Sequence, residues 1–306
     1  MSRHTDLQRR ESVWENIRRN KLCYLCIAPY FILFFLFTVA PVLSSIGLSF
    51  TYYNILQPPE FVGLDNYAKM LFADSIFTQA AVNTLVMALV VGPVGYLGAL
   101  LLAWMINELP HAARTVLVLF VYAPSISGNI YLVWSILFSG DAYGYVNGIL
   151  MNLGLIKTPI QWFLDTQYMM PLIIIIALWM SMGTGFLSFI AGLQGMDRSL
   201  YEAGTVDGIK NRWQELWYIT LPQMRPQLLF GAVMSISSAF SIGDITTALC
   251  GNPSTDYAVH TVLNHISDYG TTRFDMGYAS AISTVLFLIM ILCNRVVRRV
   301  LRNVGN

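Results

Sequence analysis

Residues 169–193 read MMPLIIIIALWMSMGTGFLSFIAGL, 25 positions without one charged side chain. A helix needs roughly 20 such residues, at about 1.5 Å rise each, to cross the hydrocarbon of a bilayer. Moving outward from this stretch, five more of the same kind appear: Leu22 to Ile46, Ala80 to Ile106, Thr115 to Phe138, Leu228 to Leu249 and Tyr278 to Asn294. Pro41, the Gly92-Pro93 pair and Pro124 interrupt three of them, which a lipid-embedded helix tolerates when its neighbours satisfy the freed backbone groups. The chain as a whole agrees: 56% of its 306 residues are hydrophobic and only 11% charged, against roughly 25% in a soluble domain. A net charge of +1 gives no reason to propose a nucleic acid partner. The expected fold class is an all-α integral membrane protein with six transmembrane helices in a lipid bilayer.

The distribution of Lys and Arg sets an expected orientation. Six lie before the first span (Arg3, Arg9, Arg10, Arg18, Arg19, Lys21), Arg114 lies in the second connection, and Arg198, Lys210, Arg212 and Arg225 lie in the fourth. Arg295, Arg298, Arg299 and Arg302 follow the last span, whereas the first, third and fifth connections hold only Lys69, Lys157 and Arg273. Both termini, 1–21 and 295–306, are therefore predicted to be cytoplasmic. The first span, 22–46, lies behind about twenty polar residues and lacks a small-x-small cleavage site, so it reads as a retained helix rather than a signal peptide. Cys23, Cys26, Cys250 and Cys293 sit in or beside apolar segments and are expected to be small buried hydrophobes.

Several chemistries are excluded. No span carries His-Glu-x-x-His or Gly-x-Ser-x-Gly, and His4, His111, His260 and His265 all fall in tails or connections, so no catalytic or metal site is expected. An aspartyl protease needs two facing carboxylates, yet Asp244 is the one acid well inside a span. No Gly-x-x-x-x-Gly-Lys-[Ser/Thr] loop is present to cradle nucleotide phosphates. If this chain is part of a pump, a partner hydrolyses the ATP. A secondary transporter driven by an ion gradient is the rival from another class, but it would normally bury ionisable residues in several spans or repeat its spans internally.

The fourth connection, Gln194 to Arg225, carries helix punctuation on the side predicted to be cytoplasmic. Ser199-x-x-Glu202 fits a capping box, and Gly208 fits the left-handed position that ends a helix. Asn211-x-x-Gln214 starts a second helix, expected to stop near Leu221 because the residue before Pro222 is biased away from the α region. On that helix Trp213, Leu216, Trp217 and Thr220 recur at spacings of three and four. Such a face either packs on the chain's own spans or the lipid interface, where Trp is favoured, or lies in a partner's groove.

The stretch Glu202-Ala203-Gly204-Thr205-Val206-Asp207-Gly208, with Trp213-Gln214, Ile219-Thr220-Leu221-Pro222 and Pro226, resembles the EAA loop of ABC importer permeases, whose pattern is Glu-Ala-Ala-x-x-Asp-Gly-Ala followed by Ile-x-Leu-Pro. It departs from that pattern at Gly204 and Ile209, which stand where the family has Ala, and by one residue inserted between Gly208 and Trp213. Ala28-Pro29-Tyr30, Ala40-Pro41, Phe61-x-Gly63-Leu64-Asp65-Asn66-Tyr67, Asn83-Thr84 and Gly277-Tyr278-Ala279 resemble the carbohydrate branch, in particular the larger maltose-type and the glycerol-phosphate-type subunits. The resemblance implies a type I importer permease with its pore domain over 79–292 and a coupling loop over about 197–226. It implies that Glu202, Ala203, Asp207, Gly208, Trp213, Trp217, Leu221 and Pro222 couple the chain to an ATPase dimer, with Glu202 the main polar contact. The other implied partners are a homologous second permease and an extracytoplasmic solute-binding protein, all in a bacterial plasma membrane. No cofactor is expected in this chain, ATP and Mg belonging to the ATPase. Within the same class, an importer of a non-sugar solute such as an amino acid or phosphate is the alternative.

A sugar path needs groups that replace lost water hydrogen bonds. The candidates are Asn129 and Trp134 in the third span, Trp179 and Thr184 in the fourth, and Ser238, Ser241 and Asp244 in the fifth. For each hydroxyl the competing role is helix packing or a bond to its own backbone. For Asp244 it is an ordinary place at the membrane interface.

Overall fold

A computed structural model describes residues 19–127 and 130–302. The first helix, α1, spans Lys21–Leu48. A hairpin of Thr51–Tyr52 paired with Glu60–Phe61 follows, then a short helix, Asp65–Ala68, that runs on as a π turn over Lys69–Ala73. Next come α2 (Ser75–Asn107), α3 (His111–Ile126), α4 (Ile130–Leu137), α5 (Tyr145–Asn152), α6 (Thr166–Ser181) and α7 (Thr184–Gln194). The chain ends with α8 (Arg198–Val206), α9 (Arg212–Glu215), α10 (Arg225–Phe240), α11 (Gly243–Cys250), α12 (Val262–Ser267) and α13 (Met276–Arg302).

Among the described residues five segments are long and apolar enough to cross a membrane: α1, α2, α6 with α7, α10 with α11, and α13. The expected span Thr115 to Phe138 is not one straight helix. It is divided between α3 and α4, whose axes differ by 96°. Pro124, Ser125 and Ser127 are poor helix formers, and Ser127 turns to extended backbone (φ −79°, ψ 115°). The α6–α7 and α10–α11 segments break at Met182-Gly183 and at Ser241-Ile242.

Two prolines inside long helices are accommodated by one device. A π turn over Phe35–Val39 precedes Pro41, and another over Leu216–Thr220 precedes Pro222. The widened turn lies where each proline ring would otherwise meet the carbonyl four residues back. For this reason the helix begun at α9 does not stop at Leu221, as its place before a proline suggests. Leu221 is helical (φ −61°, ψ −44°), and the break comes at Met224.

The central helix α2 packs on α6, α7 and α10. Its middle meets Ile173, Ile176, Ile242 and Ile245. Nearer Asn107 it meets Phe186, Phe189, Met224 and Leu228. In lipid, helices are held by close fit and a few polar contacts. Gly185 brings α7 against Gly231 of α10, where a Cβ would stand 3.5 Å from the Gly231 Cα. Ser235 Oγ donates to the Gly92 carbonyl at 2.8 Å, joining α10 to α2.

The opposite end of the bundle is capped by residues that stood out in the sequence. Asn66 Nδ2 donates to the carbonyls of Ser49 and Thr51 at 3.0 and 2.9 Å, and Tyr67 Oη donates to Ser49 Oγ at 2.7 Å. Asn83 Nδ2 holds the carbonyls of Tyr257 and His260, while Thr84 Oγ1 accepts from Val262 N–H. A Cβ at Gly277 would collide with the Thr51 carbonyl, so the hairpin lies directly on the start of α13. Beneath this cap Asp74, which also caps α2, accepts from Tyr278 Oη at 2.8 Å and lies 3.0 Å from His265 Nε2. His265 Nδ1 in turn lies 3.3 Å from buried His260 Nε2.

The four cysteines are free, but only Cys250 is buried; Cys23 and Cys26 are exposed and Cys293 is half-buried. The reason is that Lys21–Val39 of α1 contributes no buried residue to the chain. Among the described residues Ala40–Leu48 packs on α13 and on the hairpin strand Thr51–Tyr52.

Candidate functional site

Two surfaces carry the residues singled out above. The first is the connection that joins α7 to α10. Asp197 caps α8 by accepting from Ser199 N–H at 3.0 Å, so the expected Ser199–Glu202 capping box does not form. A carboxylate two residues earlier takes the cap position, and Ser199 and Glu202 fall inside the helix.

At its other end α8 closes with a Schellman turn. Gly208 is left-handed (φ 95°), Ile209 N–H donates to the Gly204 carbonyl at 2.9 Å, and Gly208 N–H to Thr205 at 3.3 Å. Asn211 then caps α9 by accepting from Gln214 N–H at 2.8 Å, while Gln214 Oε1 accepts from Lys210 N–H at 2.8 Å.

Between its caps α8 leaves Glu202, Ala203, Val206 and Asp207 uncovered, Val206 at 88% exposure. The aromatic stripe divides. Leu216 and Thr220 are buried, the Thr220 hydroxyl 3.0 Å from that of Tyr201, whereas Trp213 and Trp217 are 64% and 66% exposed. Leu221 and Pro222 are half-buried, Leu221 against the cluster of Phe186 and Phe189, and so do not join the exposed face. A polar cavity of about 710 Å³ lies behind the loop, lined by Asn107, Glu108, Arg114, Arg198, Glu202 and Arg212 among others.

The second surface is a polar stripe on α10 and α11. Ser238, Ser241, Asp244 and Thr247, three residues apart, are all exposed within a segment long and apolar enough to span a membrane. Ser241 Oγ bonds back to the Ser237 carbonyl at 3.0 Å. Asp244 opens onto a hollow of about 420 Å³ shared with Thr247, Ala248 and, from α12, Leu263, Asn264, Ile266 and Ser267. Buried Asn264 floors the hollow. Its Nδ2 donates to the Gly243 carbonyl at 3.1 Å and Thr247 Oγ1 at 2.6 Å, and its Oδ1 accepts from Thr246 Oγ1 at 2.8 Å. Nothing in the sequence marked Asn264.

Thr184 and Ser238 meet across a small cavity of about 30 Å³ between α7 and α10. Trp134 and Trp179 pack edge to face, centroids 5.3 Å apart, and are half-buried, Trp134 against the cluster that holds Ile242 and Ile245. Asn129 lies outside the described residues. No group of three or more metal-ligating side chains occurs among the described residues.

The described residues thus form a multi-span helical body with a capped, exposed helix pair at one end and a polar stripe along one of its spans. The chain belongs to the binding-protein-dependent transport system inner membrane component family, which it matches over residues 86–306. It is 32% identical over 282 residues to the probable ABC transporter permease protein YesP of Bacillus subtilis, covering 90% of this chain and 89% of that one. It is 30% identical to the lactose transport system permease protein LacF of Rhizobium radiobacter, covering 87% and 89%. Among solved structures it resembles a chain of a bacterial ABC transporter involved in the import of the acidic polysaccharide alginate. That match has a TM-score of 0.75 and 28% identity over 94% of this chain and 98% of the other.

Proposed function

We propose that this chain is the permease subunit of an ATP-driven importer for carbohydrate, in particular oligosaccharide, and forms half of its translocation path. The observation that carries this reading is the uncovered face of α8, where Glu202, Ala203 and Val206 stand exposed in the connection at one end of the bundle. Such a short rigid helix fits a partner's groove. Nucleotide and Mg are held by that partner, an ATPase dimer, whose closure moves the docked helix and rocks this subunit against a second, homologous permease. The loop lies on the cytoplasmic side with both termini, in keeping with the bias of Lys and Arg.

The solute passes the stripe of Ser238, Ser241, Asp244 and Thr247. Lipid cannot solvate such groups, so water, solute or a partner helix must face them. The relatives named for lactose and for arabinooligosaccharides support a sugar as the solute. A related structure in complex with a periplasmic protein bound to an alginate pentasaccharide supports delivery by an extracytoplasmic binding protein.

The test is mild-detergent copurification from the native membrane with mass spectrometry of what is retained, for the unaltered chain and for Glu202→Arg. Recovery of an ATPase, a second permease and a binding protein, with the ATPase lost from the variant, is the expected result. Recovery of this chain alone in both cases would refute the coupling role.

A further inference from the structure

The connection loop is joined covalently to α7 and α10, since α8 follows α7 after residues 195–197 and α9 runs on to α10 with its break at Met224. The central helix α2 has no such link. It ends at Asn107 and passes into α3 through residues 108–110. Two adjacent residues of α9 nevertheless grip two residues one turn apart on α2 and its C-cap. The Arg212 guanidinium reaches Glu108 Oε2 at 2.6 Å with one nitrogen and Glu215 Oε2 at 2.8 Å with another. Trp213 packs on Trp104, ring centroids 5.1 Å apart at 51°.

We propose that Trp104, Glu108, Arg212 and Trp213 form a clasp that makes α2 move as one body with the connection loop. This rests on the coupling reading above and extends it to a helix with no covalent link to that loop.

The geometry suits that task better than it suits stability. Glu108 and Arg212 are both exposed, and a lone exposed ion pair adds little to folding. The planar guanidinium, however, engages two carboxylates at once in a fixed fork. Trp104 and Glu108 are four residues apart and lie on one side of the helix. A polar grip at one turn and a ring contact at the next resist both sliding and rotation of α9 against α2. Without the clasp, movement of the loop would reach α7 and α10 directly and α2 only through side-chain packing.

The experiment uses the complete assembly of both permease subunits and the ATPase in nanodiscs, with the four native cysteines of this chain replaced. One spin label is placed at Val300→Cys, an exposed position near the end of α13, and a second at either Lys210→Cys in the loop or Met105→Cys on α2. Distances are measured by double electron–electron resonance, nucleotide-free and after trapping with ATP, Mg and vanadate. In the unaltered background both pairs are expected to change on trapping. In Arg212→Glu, or in Glu108→Arg, the Lys210 pair still changes while the change at Met105 falls about twofold or more, a redistribution that a weak link of this kind can hold.

Arg212→Glu loses the pair with Glu215 and sets two like charges three residues apart, a small cost that the favourable place of Glu in the first turn of α9 opposes. The exchange variant carrying both Glu108→Arg and Arg212→Glu restores the pairing and the change at Met105, which a general loss of fold could not do. An unaltered change at Met105 in both single variants would overturn the clasp. If Lys210 does not move with nucleotide even in the unaltered assembly, the coupling reading falls and the clasp with it.

Discussion

The Cδ1 of Ile209 lies 3.1 Å from where a Cβ on Gly204 would stand, and that of Ile219 lies 2.6 Å from the same point. Gly204 and Ile209 are the two positions at which the loop departs from the Ala of the family pattern, and they are complementary. The larger side chain after the Schellman turn uses room that the smaller residue in the helix leaves open.

Gly204→Ala gains roughly 1 kcal/mol of helix propensity but overpacks this contact at a cost of about 1–3 kcal/mol. The expected net effect is a loss on the order of 1 kcal/mol, read as a lower apparent melting temperature in detergent. Adding Ile219→Val removes the nearer methyl and should recover the loss. A single variant more stable than the parent would show that the isoleucine tips move aside freely.

Gly208 stands at φ 95° with nothing within 4 Å of an added Cβ, so any penalty there is backbone strain alone. Gly208→Val should cost about 1–2 kcal/mol and shift the angle between α8 and α9. Solute uptake is expected to fall more than membrane yield, while Gly208→Asn, which tolerates this conformation, keeps most of both. Normal uptake by the valine variant would mean that the angle at this turn is not used in coupling.

Asp244 faces a hollow that it shares with Thr247, Asn264 and Ser267 as well as Leu263 and Ile266, so the sensitive measurement is uptake at matched membrane levels. Asp244→Leu should lower uptake about tenfold with little change in yield, and Asp244→Asn, which keeps a hydrogen-bonding group, should lower it less. Were the leucine variant fully active and more abundant, the carboxylate would belong to the lipid interface instead.

Burial, and then the neighbouring charge of His265, push His260 down from its ordinary 6.5 to about 4; Asp268 and Asp74 oppose the shift and Arg273 adds to it. The unfolded chain therefore takes up this proton first as pH falls. The contribution of neutral His260 is complete above about pH 6.5 and is lost between there and about pH 4, by on the order of 3 kcal/mol at most. Apparent melting temperature against pH should show this acid limb in the parent and a shallower one in His260→Gln. Parallel curves would place the acid sensitivity elsewhere.

Charge-free runs such as 169–193 made the spans legible, because lipid forbids the alternatives, and Gly208 announced its turn through the one backbone region that favours glycine. The caps were harder. Asp197 and Ser199 are both good N-cap residues, and spacing to Glu202 favoured the wrong one. Leu221-Pro222 read as a stop because a π turn five residues long leaves no mark in composition. The contact of His265 with Asp74 at the opposite end was not legible: the two are 191 residues apart in the chain, and the place of Asp74 as an N-cap says nothing of an imidazole partner. Asn264 closes a local capping box with Thr261, but its bonds to Gly243, Thr246 and Thr247 arise only once α11 and α12 are side by side.

The partial docking of α1 bears on how the molecule is put together. With no buried residue from Lys21 to Val39 and its remaining turns laid on α13, this helix is an appendage fastened at one end. Its free portion takes its bearing from whatever surrounds it in the membrane. Among the described residues the helices from α2 onward bury their core without that portion, which is left to face lipid or a neighbouring helix.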